Sequence, residues 1–302
     1  MKKRIRVRQR QTRRGTIRNL NRGAKVRKRK FHQKRTVKVK KRLHLKKKTG
    51  MVPLPTDKRV GVIVSVKNEA GTLAPVLREL SRLPLHELIV VVNGSTDASL
   101  ALARNVPMAT VVHYESPIGH DVGRAVGAKL ATSDILVFVD ADFTIQAEKL
   151  VPFIAAVHRG MDVALNNITP NLKSFPLRDR VTRMKEFLNL IVRRPDLQAN
   201  SMTAVPHALS RRALDAIGYQ QLMVPPKAQV AAILKGLAVG APGNVEVLKA
   251  NRHKAENVGS HNAVSDLIMG DHLEALQFAM AELGERLWFP DYSRRRDMLG
   301  GA

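Results

Sequence analysis

Between residues 59 and 139 the chain alternates apolar runs of strand length with segments of helical spacing, and each run ends in a polar loop. Arg59 to Ser65 holds the β-branched run Val60, Val62, Ile63 and Val64 and is closed by Lys67-Asn68-Glu69. Thr72 to Leu83 then places Leu73, Val76, Leu77 and Leu80 on one helical face. Glu87 to Val92 is a second strand, followed by Asn93-Gly94-Ser95-Thr96-Asp97 and a helix through Ala103. Ala109 to His113 and Asp134 to Val139 give a third and a fourth strand, with a helix from Asp121 to Ala131 between them. Near-continuous apolar strands alternating with helices predict an α/β fold, a mostly parallel sheet buried on both faces by helices.

Such sheets bind ligands outside the carboxyl ends of their strands. Lys67-Asn68-Glu69, Asn93 to Asp97 and Asp140-Ala141-Asp142 each follow a strand directly, so three loops are predicted to meet at one crevice. Beyond Phe143 the pattern predicts a helix over Leu150 to His158, a short strand over Asp162 to Leu165 and an amphipathic helix over Leu177 to Val192. A strand within Gly236 to Val247 leads toward Asn251-Arg252-His253. A long helix over Ser265 to Leu287 has apolar Leu267, Ile268, Leu273, Leu276 and Met280.

The net charge of +27 is carried by one end of the chain. Lys and Arg supply 24 of the first 50 residues, no Asp or Glu occurs among them, and the remainder is near neutral. Residues 1–55 are therefore read as a largely disordered basic tail. Its expected partner is a polyanion, either RNA or an anionic membrane surface, with a solubilising extension as the plain alternative. Residues 56–302 are read as one domain, with a nucleotide-binding half over about 56–165 and an acceptor half over about 166–302. No apolar run reaches the length of a membrane span, and the N-terminus lacks the pattern of a signal peptide. The chain has no cysteine, hence no thiolate ligand or nucleophile. A cytoplasmic enzyme is expected, either free or held at the inner face of the membrane.

Two carboxylates one residue apart at a strand end can hold a hard divalent cation while leaving positions for a diphosphate. Read alone, Asp140 and Asp142 could equally be solvated acids near the start of the helix at Glu148. Asp271 and Glu274, three apart on the last helix, share a face and are a second acidic candidate, here for catalysis.

Four blocks together resemble the family 2 type of GT-A glycosyltransferases. They are V-G-V-I-V-S-V-K-N-E-A (Val60 to Ala70), L-I-V-V-V-N-G-S-T-D (Leu88 to Asp97), G-R-A-V-G-A-K-L-A (Gly123 to Ala131) and I-L-V-F-V-D-A-D (Ile135 to Asp142). The resemblance implies a GT-A sheet and transfer of a sugar from a nucleotide sugar, a UDP- or GDP-sugar, to an acceptor it does not identify. It also implies a divalent metal cofactor, Mn²⁺ or Mg²⁺. Asn68 and Glu69 match the first loop beside the nucleotide, with Ser65 just before it. Arg124 matches a basic residue near the nucleotide, and Gly119 and Gly123 beside it read as allowing close ligand approach. Asp140 and Asp142 match the metal-diphosphate motif.

Asn93 stands where the family has an aspartate that accepts a hydrogen bond from the base. A turn role beside Gly94 is the alternative. Where the family places an acidic pair in inverting members, Val224 to Leu237 has Lys227 and Gln229 and no carboxylate, so inversion or retention stays open. Arg194 to Leu197, Leu209 to Gly218 and Asn251 to Lys254 more weakly resemble the retaining enzymes that make glucosyl-3-phosphoglycerate. That resemblance implies His253 as a metal ligand; a surface histidine is the alternative.

A sugar nucleotidyltransferase would need a Gly-rich, basic phosphate loop after the first strand, and Ser65 to Gly71 has only Lys67 and Gly71. A nonenzymatic RNA-binding protein would need stacking aromatics, which form 4% of the chain.

Overall fold

The computed structural model describes residues 50–246 and 263–292, with 294 and 298. The tail expected over residues 1–55 falls outside the described residues as far as 49, and His253 falls outside them too. The chain is joined to the fold by Gly50 and Val52: Arg82 Nε donates to the Gly50 carbonyl at 3.0 Å, and Val52 N donates to the Arg82 carbonyl at 2.8 Å.

The elements in order are β1 (Val60–Val66), α1 (Leu73–Leu80), β2 (Glu87–Asn93), α2 (Ser99–Arg104), β3 (Ala109–Tyr114), α3 (Val122–Leu130), β4 (Ile135–Asp140) and α4 (Val151–His158). There follow β5 (Val163–Asn166), α5 (Arg180–Ile191), β6 (His207–Ser210), α6 (Arg211–Ile217), α7 (Pro225–Leu234), β7 (Val239–Gly243) and α8 (Ala263–Leu283). The seven strands form one sheet in the order β3-β2-β1-β4-β6-β5-β7.

The expected α/β architecture is present, and its reason is the two-sided burial of the strands. Val62, Val64, Val90, Val92, Val137 and Val139 project into one apolar layer, closed by α1 and α4. The intervening Ile63, Ile89, Val91, Leu136 and Phe138 project into the other, closed by α3, α6 and α7. Alternation along each strand thus feeds both layers. The sequence reading missed β6, which runs antiparallel between β4 and β5 and pairs Phe138 with His207.

Two helices differ from expectation. Helix α5 begins at Arg180 rather than Leu177, because Asp179 caps it by accepting from Thr182 N at 2.8 Å. On α8 the buried residues are His272, Ala275 and Ala279, whereas Leu267, Leu273 and Met280 are exposed. Helix α8 runs Ala263–Leu283 rather than Ser265 to Leu287, and its small Ala275 and Ala279 let it lie close on α5 and α7 with Leu276 and Phe278 packed beside them.

Candidate active site

The loops after β1 and β2 are laced together at the carboxyl edge of the sheet. Asn68, at φ 55°, accepts from Thr96 N through Oδ1 at 2.8 Å, and its own N donates to Ser95 Oγ at 3.0 Å. Asp97 accepts from Ala70 N and Ser99 N, each at 2.9 Å. Glu69 is buried, its N donates to Ser99 Oγ at 2.9 Å, and its Oε2 accepts from Thr72 Oγ1 at 3.0 Å. Asn68 and Glu69 thus brace the two loops against each other at the strand ends.

Asn93 is committed in a similar way. Its Oδ1 accepts from Ile118 N and its Nδ2 donates to the Gly119 carbonyl, both at 2.8 Å. An aspartate could make only the first bond, so the amide explains the residue: it clamps the loop after β3 to the end of β2.

Arg124, 4% exposed, is the electrostatic centre. Its Nη1 lies 3.1 Å from Asp121 Oδ1 and its Nη2 3.4 Å from Asp140 Oδ2. Burial opposes the charge, but Asp121, Asp140 and Asp142 together outweigh it and raise the guanidinium above its ordinary value. Asp140 is partly open to solvent and sits opposite Ser65 in the register of β1 and β4. Ser65 Oγ is buried at this strand end without a hydrogen-bond partner. A Cβ at Gly127 would lie 2.4 Å from Ile63 Cγ2, whereas one at Gly123 would make ordinary contact with Ser65 Oγ at 3.4 Å. Gly127 lets α3 settle onto β1, which carries Arg124 to the strand ends.

The far wall was not foreseen. Met202 offers its carbonyl to Arg124 Nη1 at 3.3 Å, and its N donates to Gln229 Oε1 at 2.8 Å. Gln229 Nε2 donates to Asn189 Oδ1 at 2.8 Å, and Asn189 Nδ2 donates to the carbonyls of Gln198 and Asn200. Beneath this loop His207 is buried and stacked on Phe138 at 5.0 Å. Burial, helped by the Arg124 charge, pushes His207 down to about 3, so it stays neutral.

Helix α8 brings Asp271 within electrostatic reach of His120 and Asp121. Burial, then the Asp121 charge, pushes its carboxyl up to about 6. Glu274 turns to Lys227 instead, at 2.8 Å near the surface. The two acids share a helix face but have different neighbours. Among the described residues no three His, Asp or Glu side chains form a metal cluster by themselves. Asp140 and Asp142 are two hard oxygen donors beside an orphaned hydroxyl, which fits a divalent cation completed by ligands from outside this set.

The chain is similar to solved structures of glucosyl-3-phosphoglycerate synthase from Mycobacterium tuberculosis. The complex with Mn²⁺, UDP and glucosyl-3-phosphoglycerate is 20% identical, with a TM-score of 0.54 over 72% of this chain and 80% of that one. The complex with Mg²⁺ and UDP is 17% identical, with a TM-score of 0.54 over 72% and 79%. A further structure of that synthase is 20% identical, with a TM-score of 0.53 over 78% and 83%. At these identities the likeness establishes the fold. No curated protein sequence matches the chain. The model of glycosyl transferase family 2 matches residues 61–218, more than half of the chain and every strand from β1 to β6. With its GT-A sheet and its strand-end carboxylates in place, the chain belongs to glycosyl transferase family 2.

Proposed function

We propose that the protein transfers a sugar, a hexose, from a UDP- or GDP-sugar to an acceptor in a reaction that depends on Mn²⁺ or Mg²⁺. The observation that carries this reading is the pair Asp140 and Asp142 at the end of β4, with buried Arg124 bound to Asp140. The synthase structures were solved with UDP and Mn²⁺ or Mg²⁺, which supports the same chemistry here. Asp140 and Asp142 would hold the cation. When bound, it supplies positive charge to the departing diphosphate.

Arg124, itself held by Asp121, keeps Asp140 oriented and adds a permanent charge to the donor site. Ser65 Oγ offers a hydroxyl at the same strand ends. The braced loops of Asn68, Glu69 and Asn93 hold the nucleotide side in shape. Gln229 is an internal strut, so the group assigned to move a proton is Asp271. At about 6 its carboxylate is basic enough to accept one from an acceptor hydroxyl near neutral pH. Glu274 is assigned a supporting charge. The nucleotide-binding half over about 56–165, the acceptor half over about 166–302 and a cytoplasmic setting belong to the same proposal, as do envelope glycans or glycolipids as products.

The test is calorimetric titration of UDP- and GDP-sugars with and without Mn²⁺ or Mg²⁺. Wild type should bind one donor only with metal. Asp142→Ala should weaken it roughly a hundredfold or more, since loss of even an outer-shell partner of a metal ligand costs ten- to a hundredfold. Wild type that binds no donor under any metal condition refutes the proposal.

A further inference from the structure

On leaving β5 at the carboxyl edge, the chain makes two short 3-10 turns, Thr169–Asn171 and Phe175–Leu177, before entering α5. Phe175 is 61% and Leu177 68% exposed. Single exposed apolar residues are ordinary on any surface, so exposure alone decides nothing. The surroundings of these two do. The Arg178 and Arg183 guanidinium groups lie 5.8 Å and 5.6 Å from the centre of the Phe175 ring. Both also tie the tip by its backbone: Arg178 Nε donates to the Lys173 carbonyl at 2.8 Å and Arg183 Nη2 to the Pro176 carbonyl at 3.0 Å.

Lys173 and Arg180 complete a rim of cations. Arg178 pairs with Glu186 and Arg180 with Asp266, while Lys173 and Arg183 have no carboxylate partner among the described residues. An apolar tip is therefore held up by arginines and edged by four cations, with Asp179 engaged in capping α5 through Thr182 N, so that Lys173 and Arg183 remain to meet an anion. Its composition matches an element that enters the headgroup boundary of an anionic bilayer, with cations at lipid phosphates and an aromatic and an aliphatic side chain below them. Single-stranded RNA would ask for a platform of aromatics, and the more exposed of the two side chains here is a leucine.

We propose that residues 173–183 are a docking surface for anionic lipid membranes, with Phe175 and Leu177 as the inserting pair. This is a contact made by the folded domain, separate from any attraction of the basic N-terminal segment. Because the tip leaves the sheet at the carboxyl edge, docking turns the crevice toward the bilayer.

The absence of cysteine makes the test clean. Full-length Leu177→Cys takes a single nitroxide or fluorophore. Arg159→Cys, exposed between α4 and β5 at the opposite edge, is the control. With vesicles of phosphatidylcholine and phosphatidylglycerol, the label at 177 should lose contact with an aqueous quencher and gain contact with bilayer-depth quenchers. The label at 159 should not change, and vesicles of phosphatidylcholine alone should have no effect at either position. In otherwise native protein, Phe175→Ser with Leu177→Ser should lower affinity for the anionic vesicles roughly tenfold or more, the scale of burying one such side chain. What binding remains should be salt-sensitive. Equal responses at 177 and 159, unchanged affinity of the double variant, or shielding at 177 by single-stranded RNA in place of vesicles would each overturn the proposal.

Discussion

Replacing Gln229 with leucine keeps most of its volume and removes both ends of the strut between α7 and the loop at residues 198–204. Met202 N loses the acceptor at 2.8 Å and Asn189 Oδ1 loses the donor at 2.8 Å, whereas the Asn200 carbonyl keeps Asn189 Nδ2 at 3.0 Å. Two buried groups are orphaned, at about 1–3 kcal/mol each, for a loss of about 2–6 kcal/mol. In a domain of this size each kcal/mol moves the melting temperature by about 2–4 °C. Thermal unfolding followed by circular dichroism should therefore show Gln229→Leu melting roughly 5–20 °C below wild type. Gln229→Glu separates charge from shape. One oxygen still accepts from Met202 N, but the other meets the Asn189 oxygen without a proton to offer. Its folded pKa is then raised, so the variant should approach wild-type stability in acid and lose it as pH rises. Donor affinity should fall along with stability, because Met202 no longer holds its carbonyl on Arg124. A leucine variant that melts within about 1 °C of wild type refutes the strut.

Asp271 stays protonated in the folded chain up to about pH 6, above the ordinary aspartate value, through burial and then the Asp121 charge. That stabilisation is complete below about pH 4 and lost above about pH 6. Asp271→Asn should therefore gain stability over wild type in urea titrations as pH rises through this window, and the pH–rate profile should lose its limb near 6; an unchanged profile removes Asp271 from proton transfer. Gly127→Ala drives a methyl to 2.4 Å from Ile63 Cγ2 and should cost about 1–3 kcal/mol by denaturant titration, despite the better helix propensity of alanine. Asn93→Asp keeps the bond from Ile118 N and loses the one to the Gly119 carbonyl, at about 1 kcal/mol. Hydrogen exchange should report faster opening of residues 117–121.

The strands that could be read from sequence are those whose burial is two-sided and whose runs are long. Each of β1, β2 and β4 repeats an apolar residue at nearly every position and ends at a polar loop, so their ligand edge was visible before any contact was known. Strand β6 has four residues, and its place between β4 and β5 depends on pairings with Phe138 and Val163 that no local pattern records. Long-range partners explain the other differences. Asn93, readable from sequence as either a base contact or a turn residue, has both ends of its amide on the loop at 118–119. Gln229 was noted for the carboxylate it lacks, whereas its role is set by Met202 and Asn189, distant in sequence. On α8 the buried residues are His272, Ala275 and Ala279, a face set by packing on α5 and α7 rather than by the helix's own apolar pattern.

The insertion of β6 into the middle of the sheet sets an order of assembly. As the chain leaves the ribosome, β1 to β4 can pair at once, but β5 has only β6 and β7 for neighbours, and both are made after it. Until residues 207–210 emerge, the free edge of β4 is an open row of backbone donors and acceptors, able to capture a strand from another nascent copy. A fragment cut at residue 165 would keep that edge permanently. Covering the edge of β4 therefore takes a fragment that runs at least through Ser210.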